Sequence, residues 1–309
     1  MKKIYALLPL SLAALAVEEV YSFTFLRRGS KILDRFLKKK NHDAEYYAHR
    51  YTSADELRNA PQQVFEMKNS RGEKLRGFYL PCAHPSGKIA FIVHGYRSEH
   101  AETAGMFLDM YHSRGFDVFC PDHAAHGESE GRRIGYDYYE SIDCLRWIDE
   151  LRKRFGEDVQ IILHGFSMGG ATVLRMSADC PDNVRFIIDD SGFTSAERLI
   201  RPRLGRSYEP IRLINRVVGG YDLRDTNVLP MLEKSDKPII FVHGRKDPTV
   251  PFAESELAYG AYKGPKAKLF MDDARHIEGY HTNPAEYEAL IDEFTEKYFT
   301  GNCKTPFYN

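Results

Sequence analysis

The feature that most constrains the fold is the run IILHGFSMGG at residues 161–170. Its apolar start is typical of a buried strand, whereas the small residues after Ser167 suit the first turn of a helix. Gly165 and Gly169 stand two residues before and after the serine, so no side chain obstructs a sharp turn there. The run therefore predicts a strand, a tight turn at Ser167, and a helix over residues 170–178.

Such a turn, a nucleophile elbow, lifts the serine hydroxyl to the edge of a sheet. The backbone N–H of Met168 and the N-terminus of the next helix then face any negative charge that forms there. A serine hydroxyl is weakly nucleophilic at neutral pH, so it needs a histidine base and a carboxylate that orients the histidine. The alternative is a plain structural turn, and the rest of the sequence decides between the two.

Two later strands end in loops that supply the missing groups. The run PIIFVHG at 238–244 reads as a buried strand, and Asp247 lies in the loop after it. The run KLFM at 268–271 reads as a short strand, and its loop reaches His276. We therefore predict that Asp247 orients the base and that His276 is the base.

Other residues compete for these roles. Asp190, at the end of the strand predicted over 186–190, is the main alternative for the acid. Asp272 and Asp273 are weaker alternatives because they lie close to His276 in sequence. None of the other histidines considered follows the last strand as His276 does. Three stand at strand ends, where a structural hydrogen bond is expected, and three stand in a loop or a helix start: His94, His164 and His243, then His123, His126 and His281.

A second donor to a developing oxyanion is predicted after the strand at 89–93. There the chain reads His94-Gly95-Tyr96, and a glycine lets the backbone approach a substrate. The N–H of Tyr96 is the predicted second donor beside that of Met168. The alternative is a simple strand-ending glycine turn. Loss of one such donor typically costs about 10²- to 10³-fold in rate.

Strands and helices alternate along most of the chain, which predicts a mostly parallel central sheet with helices on both faces. An N-terminal hairpin joins residues 64–67 to residues 75–80 around a Gly-containing turn. The remaining predicted elements are strands at 89–93 and 116–120 and helices at 101–113, 138–154 and 284–298.

Together these motifs resemble the serine α/β-hydrolase superfamily over residues 62–299. The resemblance implies an α/β-hydrolase fold with a small helical cap. By resemblance the nearest branch is the bacterial membrane-anchored, capped hydrolases related to monoacylglycerol lipases and serine aminopeptidases. One loop departs from the family: residues 121–129 read PDHAAHGES, where D-R-G-H-G-x-S is more usual, so the detail of this loop stays open.

An insertion at about 193–237 interrupts the alternation and is expected to form the helical cap over the site. It mixes apolar residues with seven arginines: Arg198, Arg201, Arg203, Arg206, Arg212, Arg216 and Arg224. The first interpretation is an amphipathic cap whose arginines are solvated. The alternatives are a cationic rim for acidic substrates and a face that contacts anionic lipid.

Composition narrows the class of partner. A formal net charge of −1 gives no sign of a nucleic-acid partner. The five cysteines are odd in number and lack CxxC spacing, so the sequence suggests neither a disulfide framework nor a zinc site. Free thiols in a reducing compartment are expected. No metal and no cofactor is expected, since acyl transfer through a serine needs neither.

We divide the chain into an N-terminal segment, 1–40, and a hydrolase domain, 41–309. The mostly apolar run of fourteen residues at 4–17 would span about 21 Å as a helix, short of a roughly 30 Å bilayer core. Residues 14–16 resemble a signal-peptide cleavage site. The basic cluster that follows, at 27–40, favours the cytoplasmic side. We expect membrane association with the catalytic domain in the cytoplasm, and export after cleavage is the alternative.

The expected activity is cleavage of a small-molecule carboxylic ester through an acyl-enzyme. Peptide or amide cleavage and acyl transfer use the same groups and stay open. A catalytically silent binding protein is less expected, because the sequence supplies a complete set of nucleophile, base and acid.

Overall fold

Eight strands form one sheet in the residues that the computed structural model describes, 17–27 and 44–299. The strands are β1 Gln63–Lys68, β2 Lys74–Leu80, β3 Lys88–Val93, β4 Phe116–Pro121, β5 Gln160–Phe166, β6 Val184–Asp190, β7 Ile239–Gly244 and β8 Lys266–Met271. Their order across the sheet is β1-β2-β4-β3-β5-β6-β7-β8. The β1–β2 and β2–β4 pairs are antiparallel, and every other pair is parallel. The mostly parallel sheet predicted from the sequence is confirmed.

Burial follows position in the sheet. Every residue of β4, β5 and β7 is buried, as near-continuous apolar strands covered on both faces require. The edge strand β1 is mostly exposed, with Phe65 its one buried residue. Because β3 to β8 run parallel, their carboxyl ends lie along one edge of the sheet, where loops can bring side chains together.

Helices cover both faces of the sheet. They are α1 Ala44–Asn59, α2 His100–Ala104, α3 Leu108–His112, α4 Tyr138–Phe155, α5 Met168–Met176, α6 Ala196–Leu204, α7 Tyr208–Ile214, α8 Leu229–Lys234, α9 Ala253–Ala261, α10 Gly279–Thr282 and α11 Pro284–Tyr298. One face packs on α1, α2, α3 and α11, with Leu57 and Phe294 in its core. The other packs on α4, α5, α8 and α9, with Trp147 and Leu174 in its core.

Two helical regions differ from the sequence prediction. The single helix expected over 101–113 is two short helices, interrupted at residues 105–107, where Phe107 turns into the core against Phe166. Helix α1 was not predicted. Only a few of its side chains are buried in the core, among them Tyr46, Ala54 and Leu57, so its sequence carries a weak apolar repeat.

Residues 17–27 also contact the rest of the domain. Residues 17–25 are helical, and the Phe25 side chain is fully buried in a third apolar cluster with Ile211 and Tyr221 of the insertion. Leu26 forms an isolated antiparallel bridge with Arg133. This part of the expected N-terminal segment, 1–40, thus packs on the domain.

The apolar run up to residue 16, the cleavage-like site and most of the basic cluster lie outside the described residues, as does Cys303. None of the described helices, in 17–27 and 44–299, combines the length and the apolar character needed to span a bilayer. Cys82, Cys120, Cys144 and Cys180 are buried free thiols.

Candidate active site

Ser167 stands at the turn between β5 and α5 in a strained conformation, with φ 56° and ψ −114°. A non-glycine residue in this region costs about 1–3 kcal/mol, and such strain concentrates at functional sites. The flanking glycines make the turn possible. A Cβ on Gly165 would lie 2.2 Å from the Gly169 carbonyl oxygen, and one on Gly169 would lie 2.0 Å from that of Val93.

Three predicted residues come together at the carboxyl edge of the sheet. His276 Nε2 lies 2.9 Å from Ser167 Oγ, and His276 Nδ1 lies 2.6 Å from Asp247 Oδ2. The Ser167 side chain is partly accessible and that of His276 is 14% exposed, whereas the Asp247 side chain is fully buried. The three groups form one continuous hydrogen-bonded chain, a geometry that can transfer a proton from the serine to the imidazole.

The Asp247 carboxylate is held by several donors. Oδ1 accepts the backbone N–H groups of Thr249 and Val250, at 2.7 and 2.9 Å. Oδ2 also lies 3.1 Å from His243 Nε2. Burial alone would raise the pKa of Asp247, but the hydrogen bonds of His243 and His276 outweigh it and hold the pKa well below its usual range. The carboxylate is therefore ionised at neutral pH and fixes the orientation of His276.

The competing carboxylates have other partners. Asp190 accepts hydrogen bonds from Ser191 Oγ at 2.8 Å and Tyr287 Oη at 2.9 Å. Asp272 and Asp273 pair with Arg245 and Lys246 at the surface. Their partners leave Asp247 as the carboxylate hydrogen-bonded to His276.

The loop after β3 passes beside the serine. A Cβ on Gly95 would lie 3.1 Å from the Phe166 carbonyl oxygen and 3.3 Å from Ser167 Cβ, a tight contact that glycine avoids. Tyr96 follows it, and Met168 is the first residue of α5, where a backbone N–H has no acceptor within the helix. Both predicted oxyanion donors thus belong to segments next to Ser167.

Two buried histidines support this loop. His126 Nε2 accepts the Arg97 backbone N–H at 3.0 Å, and His94 Nε2 accepts that of His123 at 3.0 Å. Burial lowers the pKa of His126 to about 4 and drives that of His94 well below its usual value. Both rings are neutral at pH 7 and can accept these bonds. The sequence singled out neither contact.

The N-terminal segment contacts the same loop. Tyr96 Oη donates to the carbonyl oxygens of Phe23 and Thr24, at 2.9 and 3.0 Å. The Arg97 guanidinium donates to the Phe23 carbonyl oxygen at 2.6 Å and lies 4.8 Å from the centre of the Phe23 ring. The residue predicted to supply an oxyanion donor is therefore tied to residues 23 and 24.

A cavity of about 290 Å³ opens beside Ser167. Its lining comes mainly from α1, the segment that includes α2, and the loops that carry the three polar groups: Tyr46, Arg50, Gly95, Tyr96, Ser98, Glu102, Thr103, Met106, Phe107, Phe166, Ser167, Thr249, His276 and Ile277. Residues 193–237, expected to cover the site, do not line it.

The insertion is helical, and five of its seven arginines have partners within the protein. Arg198 pairs with Glu254, Arg201 with Glu197, Arg212 and Arg224 with Asp222, and Arg203 with the Thr249 carbonyl. Four of the seven arginines thus lie next to carboxylates, which reduces the positive charge available for a cationic rim.

One group of residues has the composition of a cation site. Ligand atoms of Glu99, His100 and Asp122 all lie within 4.8 Å of one another. Three of the four carboxylate oxygens already have partners, since Asp122 accepts the backbone N–H groups of His100 and Glu128, and Glu99 Oε1 pairs with Arg58. The contacts on these carboxylates are those of a structural cluster.

Comparison with known proteins places these features in context. A family model described as serine aminopeptidase, S33, matches residues 84–207, which include Ser167 but not Asp247 or His276. The Bacillus subtilis protein YqkD is 26% identical over 306 residues, 96% of this chain and 98% of that protein. Mouse monoglyceride lipase is 34% identical over 138 residues, 41% of this chain and 44% of the lipase. The Pyrococcus furiosus esterase Pf2001 superposes with a TM-score of 0.63 at 21% identity, covering 78% of this chain and 92% of the esterase.

Proposed function

Since the chain belongs to the α/β-hydrolase superfamily, we propose that it is a serine hydrolase that cleaves carboxylic esters through an acyl-enzyme intermediate. The observation that carries the proposal is the hydrogen-bonded chain from Ser167 through His276 to Asp247, which borders the cavity. A hydrolase without this arrangement would have no activated hydroxyl at the strained turn.

In the proposed mechanism, Ser167 Oγ attacks the ester carbonyl while His276 Nε2 accepts its proton. The N–H groups of Tyr96 and Met168 stabilise the oxyanion. His276 then gives the proton to the leaving alcohol, and the acyl group stays on Ser167. Water attacks the acyl-enzyme by the same route, with His276 as base, and releases the acid. The ionised Asp247 stabilises the imidazolium formed in both steps.

The sequence similarity favours one second candidate activity. The matching family model is described as a serine aminopeptidase, and amide cleavage would use the same residues with His276 protonating an amine leaving group. Acyl transfer to an alcohol other than water requires no further residue. Rates measured on a matched pair, an alkyl ester and an aminoacyl anilide, separate ester from amide preference.

The first test is labelling of the purified protein with a fluorophosphonate, which reacts with activated serines. We expect stoichiometric labelling of Ser167 and none in Ser167→Ala. Prior treatment with an ester substrate should slow the labelling. A folded wild-type protein that is not labelled would contradict the proposal and favour a binding protein.

Membrane association through the N-terminal segment, with the catalytic domain in the cytoplasm, also stays a proposal. It rests on the apolar residues 4–17 and the basic residues that follow them. Fractionation of cells, followed by protease treatment of intact spheroplasts, separates a cytoplasmic domain from an exported one.

A further inference from the structure

We infer that the cavity beside Ser167 contains a subsite for a neutral substrate group that both donates and accepts hydrogen bonds, such as a hydroxyl or a carboxamide. Arg50, Ser98 and Glu102 form this polar subsite. The inference rests on the proposed function, because it assigns a substrate preference to the same cavity.

The three side chains form a connected cluster. Arg50 Nη2 donates to Ser98 Oγ at 2.8 Å and to Glu102 Oε2 at 2.9 Å, and Ser98 Oγ donates to Glu102 Oε2 at 3.1 Å. All three line the cavity together with Ser167 and His276. The substrate that reaches the serine therefore shares a small space with this cluster.

Burial of this charged cluster is energetically unfavourable at this position. The Arg50 side chain is only 11% exposed and that of Glu102 is 23% exposed. The neighbouring walls are apolar, with Met106, Phe107 and Phe166. An ion pair in such surroundings loses hydration that its own attraction repays poorly. A role in binding a substrate group in the cavity would account for an ion pair at this position despite its loss of hydration.

Part of the hydrogen-bonding capacity of the cluster is unused. Both guanidinium bonds of Arg50 involve Nη2. Nε is buried without a partner among the described residues, whereas Nη1 bonds to none of them and is not among the fully buried atoms. Both hydrogen bonds to the Glu102 carboxylate go to Oε2, so Oε1 accepts none from the described residues. Arg50 Nη1 and Glu102 Oε1 are therefore the polar atoms of the cluster that a ligand in the cavity can reach. A ligand that adds one acceptor and one donor would complete the set.

The charges select a neutral ligand group. Arg50 and Glu102 neutralise each other, so an anion would face the Glu102 carboxylate and a cation would face the guanidinium. Each would also lose its own hydration on entering. A hydroxyl or a carboxamide accepts from Arg50 and donates to Glu102 without adding charge.

The volume limits where this group stands in the substrate. About 290 Å³ lies at the lower end of the range for small-molecule sites. We therefore expect the polar group on a short chain attached to the ester carbonyl, on either the acyl or the alcohol part.

The fold offers a matched control for a purely structural role. Arg58, two turns further along α1, donates from Nε to Glu99 Oε1 at 2.9 Å. This pair also ties α1 to the segment before α2, but neither residue lines the cavity. Arg58→Gln therefore loosens the same two elements without touching the subsite.

The test compares kcat/KM within two ester series. The first is 4-nitrophenyl hexanoate and its analogues that end in hydroxyl, carboxamide, carboxylate or ammonium. The second compares ethyl hexanoate with 2-hydroxyethyl hexanoate, so that the two series distinguish the acyl part from the alcohol part. We expect the hydroxyl compound in one series to exceed its unsubstituted parent by about tenfold to hundredfold. The carboxylate and ammonium esters should not exceed it.

The variants assign the preference to the cluster. Arg50→Gln should bring the ratio of hydroxyl to parent ester close to one. Glu102→Gln leaves Arg50 without its neutralising partner, so the carboxylate ester should gain relative to the parent. Arg58→Gln should keep the wild-type ratios.

Equal kcat/KM throughout both wild-type series would overturn the subsite and leave the proposed hydrolase activity standing. An unchanged hydroxyl-to-parent ratio in Arg50→Gln would overturn it equally. If the arginine variant does not fold, an unchanged carboxylate-to-parent ratio in Glu102→Gln would do the same. No turnover of any ester, together with no fluorophosphonate labelling, would overturn both the subsite and the proposed function.

Discussion

The two sides of the cavity around Ser167 are built in different ways. The proposed reacting groups Ser167, Asp247 and His276 follow the carboxyl ends of β5, β7 and β8. Another part of the cavity wall, with Arg50 and Glu102, comes from α1 and α2, which pack on the sheet from one face. Sheet topology positions the first set, whereas helix packing positions the second.

Because of this difference, we expect the first set to govern the reaction and the second to govern the choice of substrate. Neighbouring parallel strands end at one edge of the sheet, so a side chain just after each strand is brought there by the backbone alone. A side chain on a packed helix reaches the same space only if the helix docks in one orientation. We therefore expect substitutions of the first set to abolish turnover and those of the second to change its preference.

The largest expected contrast is between Ser167 and Ser98, two serines that both line the cavity. Ser167→Ala removes the nucleophile and should lower kcat by about 10⁴- to 10⁶-fold with an unchanged Tm. Ser98→Ala removes one hydrogen bond on the wall and should lower kcat/KM for a simple ester by no more than about tenfold. Steady-state kinetics on both variants test this, and comparable losses would erase the distinction between the two sides.

The second contrast is between two carboxylates at the same edge. Asp247→Asn leaves an amide that donates to His276 and favours the wrong tautomer, so kcat should fall by about 10⁴-fold. Asp190→Asn changes a carboxylate held by Ser191 and Tyr287 and should lower kcat far less. Measurement of kcat for the two folded variants decides, and a larger loss in Asp190→Asn would reverse the assignment of the acid.

Substitution of a buried side chain in residues 17–27 should instead lower the stability of the fold. Phe25 is fully buried between the N-terminal segment and the insertion, so Phe25→Ala should lower the free energy of unfolding by about 3–5 kcal/mol. Val217→Ala, at a side chain that is 83% exposed, serves as the control and should change it by less than about 0.5 kcal/mol. Urea unfolding measures both, and equal values would mean that residues 17–27 do not dock.

The smallest expected effect concerns His126, whose ring accepts the Arg97 backbone N–H in the loop after β3. Burial lowers the pKa of His126 to about 4, so the unfolded chain binds this proton more readily than the folded one. The contribution of His126 is constant above pH 6.5 and is lost as the pH falls from 6.5 to 4, by ~2 kcal/mol at pH 5. His126→Gln keeps an acceptor for the Arg97 N–H and should lose about that much less stability between pH 7.5 and pH 5. Unfolding curves at both pH values test this, and identical acid sensitivity would exclude His126 as the titrating group.

The same division explains what could be predicted from the sequence. The elbow, the eight strands and the residues Asp247 and His276 depend on local patterns: glycine spacing, short apolar runs, and polar residues just after them. The contact of Arg50 with Glu102 depends on how α1 docks, and α1 has only a weak apolar repeat. The insertion was recognised as helical, but no local pattern indicates which face of a helix meets which neighbour.

The contacts of Phe23 and Thr24 with Tyr96 and Arg97 have a mechanical consequence. The chain before residue 17 leads into a helix, and the Phe23 and Thr24 carbonyl groups of this helix accept hydrogen bonds from the loop that carries the proposed oxyanion donor. A tether, a fusion partner or a protease cut placed near residues 17–27 is therefore expected to change the position of the proposed oxyanion donor more readily than it changes the sheet. An expression product that starts at residue 41 would retain Ser167, His276 and Asp247 but lose the hydrogen bonds that Tyr96 and Arg97 donate to residues 23 and 24.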